Sequence, residues 1–172
     1  MEEIVQLNSN AKLSEHFVLG EFTKSGSHPE VYNIPSHEAI ANLKRLCGWL
    51  EELRKRYNER YVVEISPRAT LGRDDKRGEE AIRINSGYRS PQLNRKIGGA
   101  ATSNHLTGCA VDIKVAGMEQ ALRYAVILLD YADESKQEFD ELLIERNRYG
   151  AIWVHFAVRP KENRRKILFI NA

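Results

Sequence analysis

After Ser36 the apolar positions Ile40, Leu43, Leu46, Cys47, Leu50, Leu53 and Tyr57 recur every three or four residues among polar ones. That spacing forms one stripe of an amphipathic helix of about five turns, with Ser36 as its N-cap. Leu122, Ala125, Val126 and Leu129 form a second stripe, which predicts a helix from about Met118 to Tyr131 with that face buried. Ser90 as cap, Pro91 at the first helical position and Gly98-Gly99 beyond the end announce a short third helix. The pattern switches to period two in Cys109–Val115: Cys109, Val111, Ile113 and Val115 point one way, Ala110, Asp112 and Lys114 the other. Ala81–Ser86 alternates in the same manner, and Tyr61–Ile65 is β-prone.

The C-terminal part reads as a β-meander, with strands at Phe139–Glu145, Ile152–Val158 and Lys166–Ile170. In its first hairpin Leu142 and Ile144 share a face, as do Val154, Phe156 and Val158. If those faces cover the core, Glu141, Glu145, Trp153, His155 and Ala157 leave it on the opposite side, and so does Asp112 on its own strand. Ala100–Gly108 reads as a loop, and Ser66–Glu80, with Pro67, Gly72, Gly78 and many charges, as a solvated loop insertion or hairpin tip. Leu13–Pro35 has no long periodic element, which makes residues 1–35 a structured N-terminal arm. The expected fold is α+β: a small antiparallel sheet backed by helices.

The chain's 172 residues fit one domain, 42% apolar content supports a core, and 29% charged content is that of an ordinary globular surface. Lys and Arg number 26 against 24 Asp and Glu, a formal charge of +2 that gives no electrostatic argument for a nucleic-acid partner. The two cysteines, Cys47 and Cys109, form no CxxC pair and predict no disulfide, which permits a reducing compartment. Met1-Glu2-Glu3-Ile4-Val5-Gln6 has no basic region followed by an apolar one, so no secretory signal is expected and synthesis in the cytoplasm is. Ala125–Leu129 is the longest apolar run near a helix, far short of the ~20 residues that span a bilayer.

Candidate chemistry collects on the face opposite the core. His105 lies on the loop before Asp112, and His155 is in the middle of a separate strand. Two imidazoles and a carboxylate fill three positions of a tetrahedral Zn²⁺ and leave the fourth for water, as a hydrolytic site requires. The spacing alone equally suits histidines that only pack or bond singly, in a domain without metal.

The surrounding blocks are more specific. Ser86-Gly87-Tyr88-Arg89-Ser90-Pro91-Gln92-Leu93-Asn94, then Ser103-Asn104-His105 through Gly108-Cys109-Ala110-Val111-Asp112, then Trp153-Val154-His155 resemble, in this order, the zinc D-alanyl-D-alanine carboxypeptidase family. That family includes vancomycin-resistance D,D-peptidases and phage endolysin peptidases, and Leu13-Ser14-Glu15-His16-Phe17 resembles the opening of its phage and prophage branch. The resemblance implies a hedgehog-like single-zinc fold, with one Zn²⁺ per chain on His105, Asp112 and His155. It also implies a monomer that hydrolyses peptidoglycan peptides by metal-activated water and reaches the wall by a separate route. Arg89, Ser103, Tyr88 and Gln92 are then substrate-binding candidates, with Arg89 also holding the oxyanion; Ser103 equally suits a turn cap.

Several family members carry an acid three positions before the last histidine ligand, where this chain has Ile152. A general base must come from elsewhere. Glu145, on the same expected face as His155, is the first candidate, with Glu141 and Asp140 behind it. The alternative is a catalytically silent zinc or peptidoglycan-binding module on the same fold. His16, His28 and His37 read as structural or solvent-facing. The basic run Arg159–Lys166 reads as a solvated loop or as a surface for anionic wall polymer.

Overall fold

A computed structural model describes residues 9–62 and 79–171. The Tyr61–Ile65 and Ser66–Glu80 expectations fall largely outside the described residues. Tyr61 and Val62 themselves close a π-helical turn, Asn58–Val62, rather than opening a strand.

The long helix α2 spans His37–Tyr57. Ser36 Oγ accepts from the Ala39 amide at 3.1 Å, and Arg54, Lys55 and Arg56 fill the last turn, where the helix dipole favours cations. The whole expected stripe from Ile40 to Tyr57 is buried. Trp49, from the same helix, packs its ring on Phe139 and Phe156 beneath the sheet. Short helix α1, Leu19–Thr23, belongs to the N-terminal arm. Glu51 of α2 fastens that arm by accepting from Ser14 Oγ at 2.5 Å and from the His16 amide at 2.8 Å.

Helix α4, Met118–Ser135, is present, but its buried stripe is Ala121, Tyr124, Ile127, Leu128 and Ala132. Leu122 and Val126, expected inside, are 53% and 48% exposed. The helix is apolar on adjoining faces, so two stripes about 100° apart fit helical spacing equally well, and packing on α2 selects between them. Tyr124 meets Tyr57 edge-on at 5.0 Å.

The five-stranded sheet has the order β1-β2-β4-β3-β5. Its strands are β1 Ile84–Ser86, β2 Ala110–Lys114, β3 Glu141–Arg146, β4 Ile152–Ala157 and β5 Lys166–Asn171. Short helix α3, Pro91–Lys96, and a 3₁₀ turn, Asn104–Thr107, join β1 to β2; the latter lies where a plain loop was expected. The expected meander does not form: β5 pairs parallel with β3 and not with β4. Both edges of β4 are already taken, by β2 and by β3, so the chain crosses over and adds to the free edge of β3. Asp140 pins that crossover: its side-chain Oδ1 accepts from the Arg164 amide at 3.1 Å and its backbone C=O accepts from the Lys166 amide at 2.9 Å.

Strand register then builds a grid on the face away from the helices. One row runs Asp112, His155, Leu143, Leu168; the rows beside it are Ala110, Ala157, Glu141, Lys166 and Lys114, Trp153, Glu145, Ile170. Alternation puts Val111, Ile113, Leu142, Val154 and Phe156 on the other face, in the core.

Candidate metal centre

His105 is set by its turn. Ser103 caps the 3₁₀ helix, its Oγ accepting from the His105 amide at 3.3 Å, and Gly108 ends it at φ 72°. A Cβ at Gly108 would lie 2.5 Å from the Ala39 carbonyl of α2, so both the positive φ and the close approach require glycine. The imidazole is held from the far side: its Nδ1 is 2.6 Å from the Gly87 carbonyl. Since a carbonyl only accepts, Nδ1 carries the hydrogen and Nε2 presents its lone pair. Gly87 is itself confined, because a Cβ there would meet the Phe22 backbone of α1 at 2.7 Å.

Asp112 and His155 face each other directly across β2 and β4. Asp112 Oδ1 lies 2.9 Å from His155 Nδ1 and 3.3 Å from His105 Nε2, while Oδ2 accepts from Arg89 Nη2 at 2.7 Å. One donor atom from each of His105, Asp112 and His155 lies within 4.8 Å of the others, and all three residues are buried. The donor set suits a metal: two imidazole nitrogens and one carboxylate oxygen converge, each side chain with a partner behind it. Without the ion, burial opposes charge at Asp112, yet the two histidines hold its carboxyl far below the usual carboxylate range. Burial likewise opposes charge on His155, but the Asp112 and Glu141 carboxylates on either side raise it to about 9.

The two glutamates of β3 have different surroundings. Glu141 Oε2 is 3.2 Å from His155 Nε2 and 3.1 Å from Asn104 Nδ2, and Oε1 accepts from Arg164 Nη2 at 3.0 Å. The hydrogen bond to His155 holds its carboxyl down at about 2. Glu145, one register row from His155, is half-buried opposite Trp153, whose indole side chain favours the charged form of the glutamate. Burial pushes the Glu145 carboxyl up, against the pull of His155. Asp140 is fully buried and bound to Arg164 and Asn104. Ile152 packs against the hydrophobic core.

Arg89 is anchored by Ser86 Oγ at 3.0 Å as well as by Asp112; among the described residues its Nη1 makes no hydrogen bond. Tyr88 is buried in the core, Gln92 is exposed on α3, and Tyr149 is 78% exposed at the hairpin tip. His16 and His28 pair with Glu51 and Glu30, away from the cluster. The basic run is largely solvent-exposed, as expected, and it is also paired: Arg159, Arg164, Arg165 and Lys166 all meet Asp or Glu side chains. The sequence pattern gave no sign of Asn104, Arg164 or the Gly87 carbonyl. The only available hint was that Asn104 adjoins His105. Cys47 and Cys109 are both free and buried.

The fold is an α+β domain in which two histidines and an aspartate converge on one sheet face as a cluster that could hold a metal ion. Residues 74–149 match the Peptidase M15 family model, and there the chain is similar to that family. The matched stretch contains Arg89, His105, Asp112, Glu141 and Glu145 and stops short of His155. No curated protein matches the chain. Among the described residues no helix is long and apolar enough to cross a membrane.

Proposed function

We propose that this protein is a zinc peptidase of the M15 type that hydrolyses peptide bonds of bacterial peptidoglycan, as a D-Ala-D-Ala carboxypeptidase or an endolysin-type endopeptidase of a phage-like branch. The observation that carries the reading is the convergence of His105 Nε2, Asp112 Oδ1 and His155 Nδ1, inside a chain whose central segment matches a peptidase family. These three atoms would hold one Zn²⁺, which supplies Lewis-acid polarisation of a carbonyl and a water molecule acidic enough to be activated near neutral pH. Arg89 keeps Asp112 Oδ2 occupied, so the carboxylate offers one oxygen, and the free Nη1 edge of the guanidinium is available to a substrate carbonyl or carboxylate.

Glu145 is the proposed proton-transfer residue. Its carboxylate faces the cluster without being paired to it, and burial moves its pKa toward the working range of a general base. Glu141 is spoken for by His155, Asn104 and Arg164, and Asp140 by Arg164. Ser103 acts here as the cap that aims His105; Tyr88 and Gln92 remain candidate substrate contacts. In this reading residues 1–172 act as one peptidase domain and as a monomer. Metal analysis of protein purified without chelator, combined with mass spectrometry of fragments released from purified walls, tests the reading. One zinc per chain with cleaved stem or cross-bridge peptides is expected. Zinc without cleavage would leave a silent metal- or wall-binding module, and no zinc even after reconstitution would end the metal reading.

A further inference from the structure

His155 is flanked by carboxylates on both ring nitrogens: Asp112 Oδ1 at 2.9 Å from Nδ1 and Glu141 Oε2 at 3.2 Å from Nε2. Only Nδ1 looks into the donor set shared with His105, because the oxygen it meets is the one His105 Nε2 approaches at 3.3 Å. Which nitrogen of an imidazole offers its lone pair is decided by what the other nitrogen bonds.

The Glu141 carboxylate is itself held from two further sides. Asn104 Nδ2 donates to it at 3.1 Å and to Asp140 Oδ2 at 2.7 Å, bridging the two acids from the residue next to His105. Arg164 Nη2 donates to Glu141 Oε1 at 3.0 Å and to Asp140 Oδ2 at 2.7 Å, while its Nε meets Asp140 Oδ1 at 2.8 Å. The Glu141 side chain is 14% exposed and Asp140 is fully enclosed, while the Arg164 side chain is 52% exposed, so the two acceptor carboxylates are fixed in the protein and the guanidinium reaches them from the surface through directed, charge-assisted bonds. The β5 crossover thus reaches the far side of a proposed ligand through two hydrogen-bonded links.

We infer that Glu141, held by Arg164 and Asn104, is a positioning residue that accepts the Nε2–H of His155, commits Nδ1 to the metal, and thereby sets metal affinity. The inference rests on the zinc reading above and adds to it a role for the crossover loop. Partners of this kind change metal affinity by roughly 10- to 100-fold when removed.

The test is equilibrium zinc affinity, by competition with a chromophoric chelator, and the visible absorption spectrum of the cobalt-loaded protein. Wild type is compared with E141A, E141Q and R164A, whose folding is checked by melting of the metal-free forms. E141A is expected to bind zinc about 10- to 100-fold more weakly and to show an altered cobalt spectrum. E141Q, whose amide oxygen still accepts from Nε2–H, should recover most of the affinity, which a merely structural role would not produce. R164A keeps His105, Asp112, His155 and Glu141 while removing the Asp140 ion pair, and should weaken zinc several-fold. Wild-type affinity in either alanine variant overturns the inference while the zinc reading stands; a wild-type chain that takes up no zinc overturns both. Should E141A fail to fold, R164A and E141Q decide.

Discussion

Glu141 and Glu145 stand on the same strand and the same sheet face, yet the two ends of β3 could hardly be furnished more differently. Glu141 is bonded to His155, Asn104 and Arg164, and its carboxyl is held down at about 2. Glu145 has the Trp153 indole beside it, no ion pair to the cluster among the described residues, and a carboxyl pushed up by burial. A saturated carboxylate orients what it touches, whereas an under-coordinated one in a dry setting is free to take and give a proton. Residue type and parity are the same at both positions; neighbours that arrive from elsewhere in the chain assign the roles.

The largest effect is expected where both ends of β3 lose their common reference. Asp112→Ala removes the oxygen that both histidines face and leaves Arg89 without its partner. Zinc content should fall below a tenth of a mole per mole under mild chelation, on the order of the loss expected when one of three ligands goes, and wall hydrolysis should fall to background. Retention of both zinc and hydrolysis in this variant would dissolve the comparison, because neither glutamate would then be near the chemistry.

Glu145→Gln separates the two ends. It should keep zinc within a few-fold of wild type but lose about 10²- to 10⁴-fold in the rate of peptide release, measured on purified walls, since an amide transfers no proton. Full activity in Glu145→Gln would move proton transfer to Glu141 and reverse the assignment, as Asp140 is too enclosed to reach a substrate.

Much of this was legible in the chain and some was not, for identifiable reasons. Strict alternation placed Asp112, His155, Glu141 and Glu145 on one face because a strand's period of two leaves no freedom once the core side is known. The α2 stripe was legible because polar residues separate its apolar ones; α4 was misphased because Leu122 and Val126 are as apolar as Tyr124 and Ile127, and only the α2 surface discriminates. The path of β5 was illegible locally, being decided by β4 having no free edge. Arg164 shared that fate: within a run of five cations nothing singles out the guanidinium that hydrogen-bonds both a buried aspartate and Glu141.

A pH series sharpens the comparison at intermediate scale. In the metal-free chain His155 is raised from its ordinary 6.5 to about 9, so its contribution to stability is full below 6.5 and fades as pH rises through 9. Glu141, lowered from 4.5 to about 2, contributes above 4.5 and loses that contribution as pH falls toward 2. The melting temperature of the metal-free protein should therefore pass through its highest values between about 4.5 and 6.5 and decline toward pH 9. Zinc must displace the His155 proton, so its apparent affinity should climb over that same upper range, and calorimetry in buffers of different ionisation enthalpy should detect proton release. A flat affinity between pH 6 and 9 would mean that His155 is already neutral and that Glu141 does not act on it.

The smallest effect is expected at Lys166, and its smallness is informative. Its Nζ lies 3.6 Å from Glu141 Oε1 with the side chain 43% exposed, beyond hydrogen-bond reach and within reach of solvent screening. If Glu141 is held by summed positive charge, Lys166→Ala should weaken zinc about as much as R164A does. If it is held by directed bonds from a guanidinium fork and an amide, Lys166→Ala should stay within about two-fold of wild type, in line with the 0–1 kcal/mol of exposed ion pairs, and the difference should persist at high salt. Equal losses at Lys166 and Arg164 that both vanish in molar salt would replace the hydrogen-bonded account of this end of β3 with a purely coulombic one.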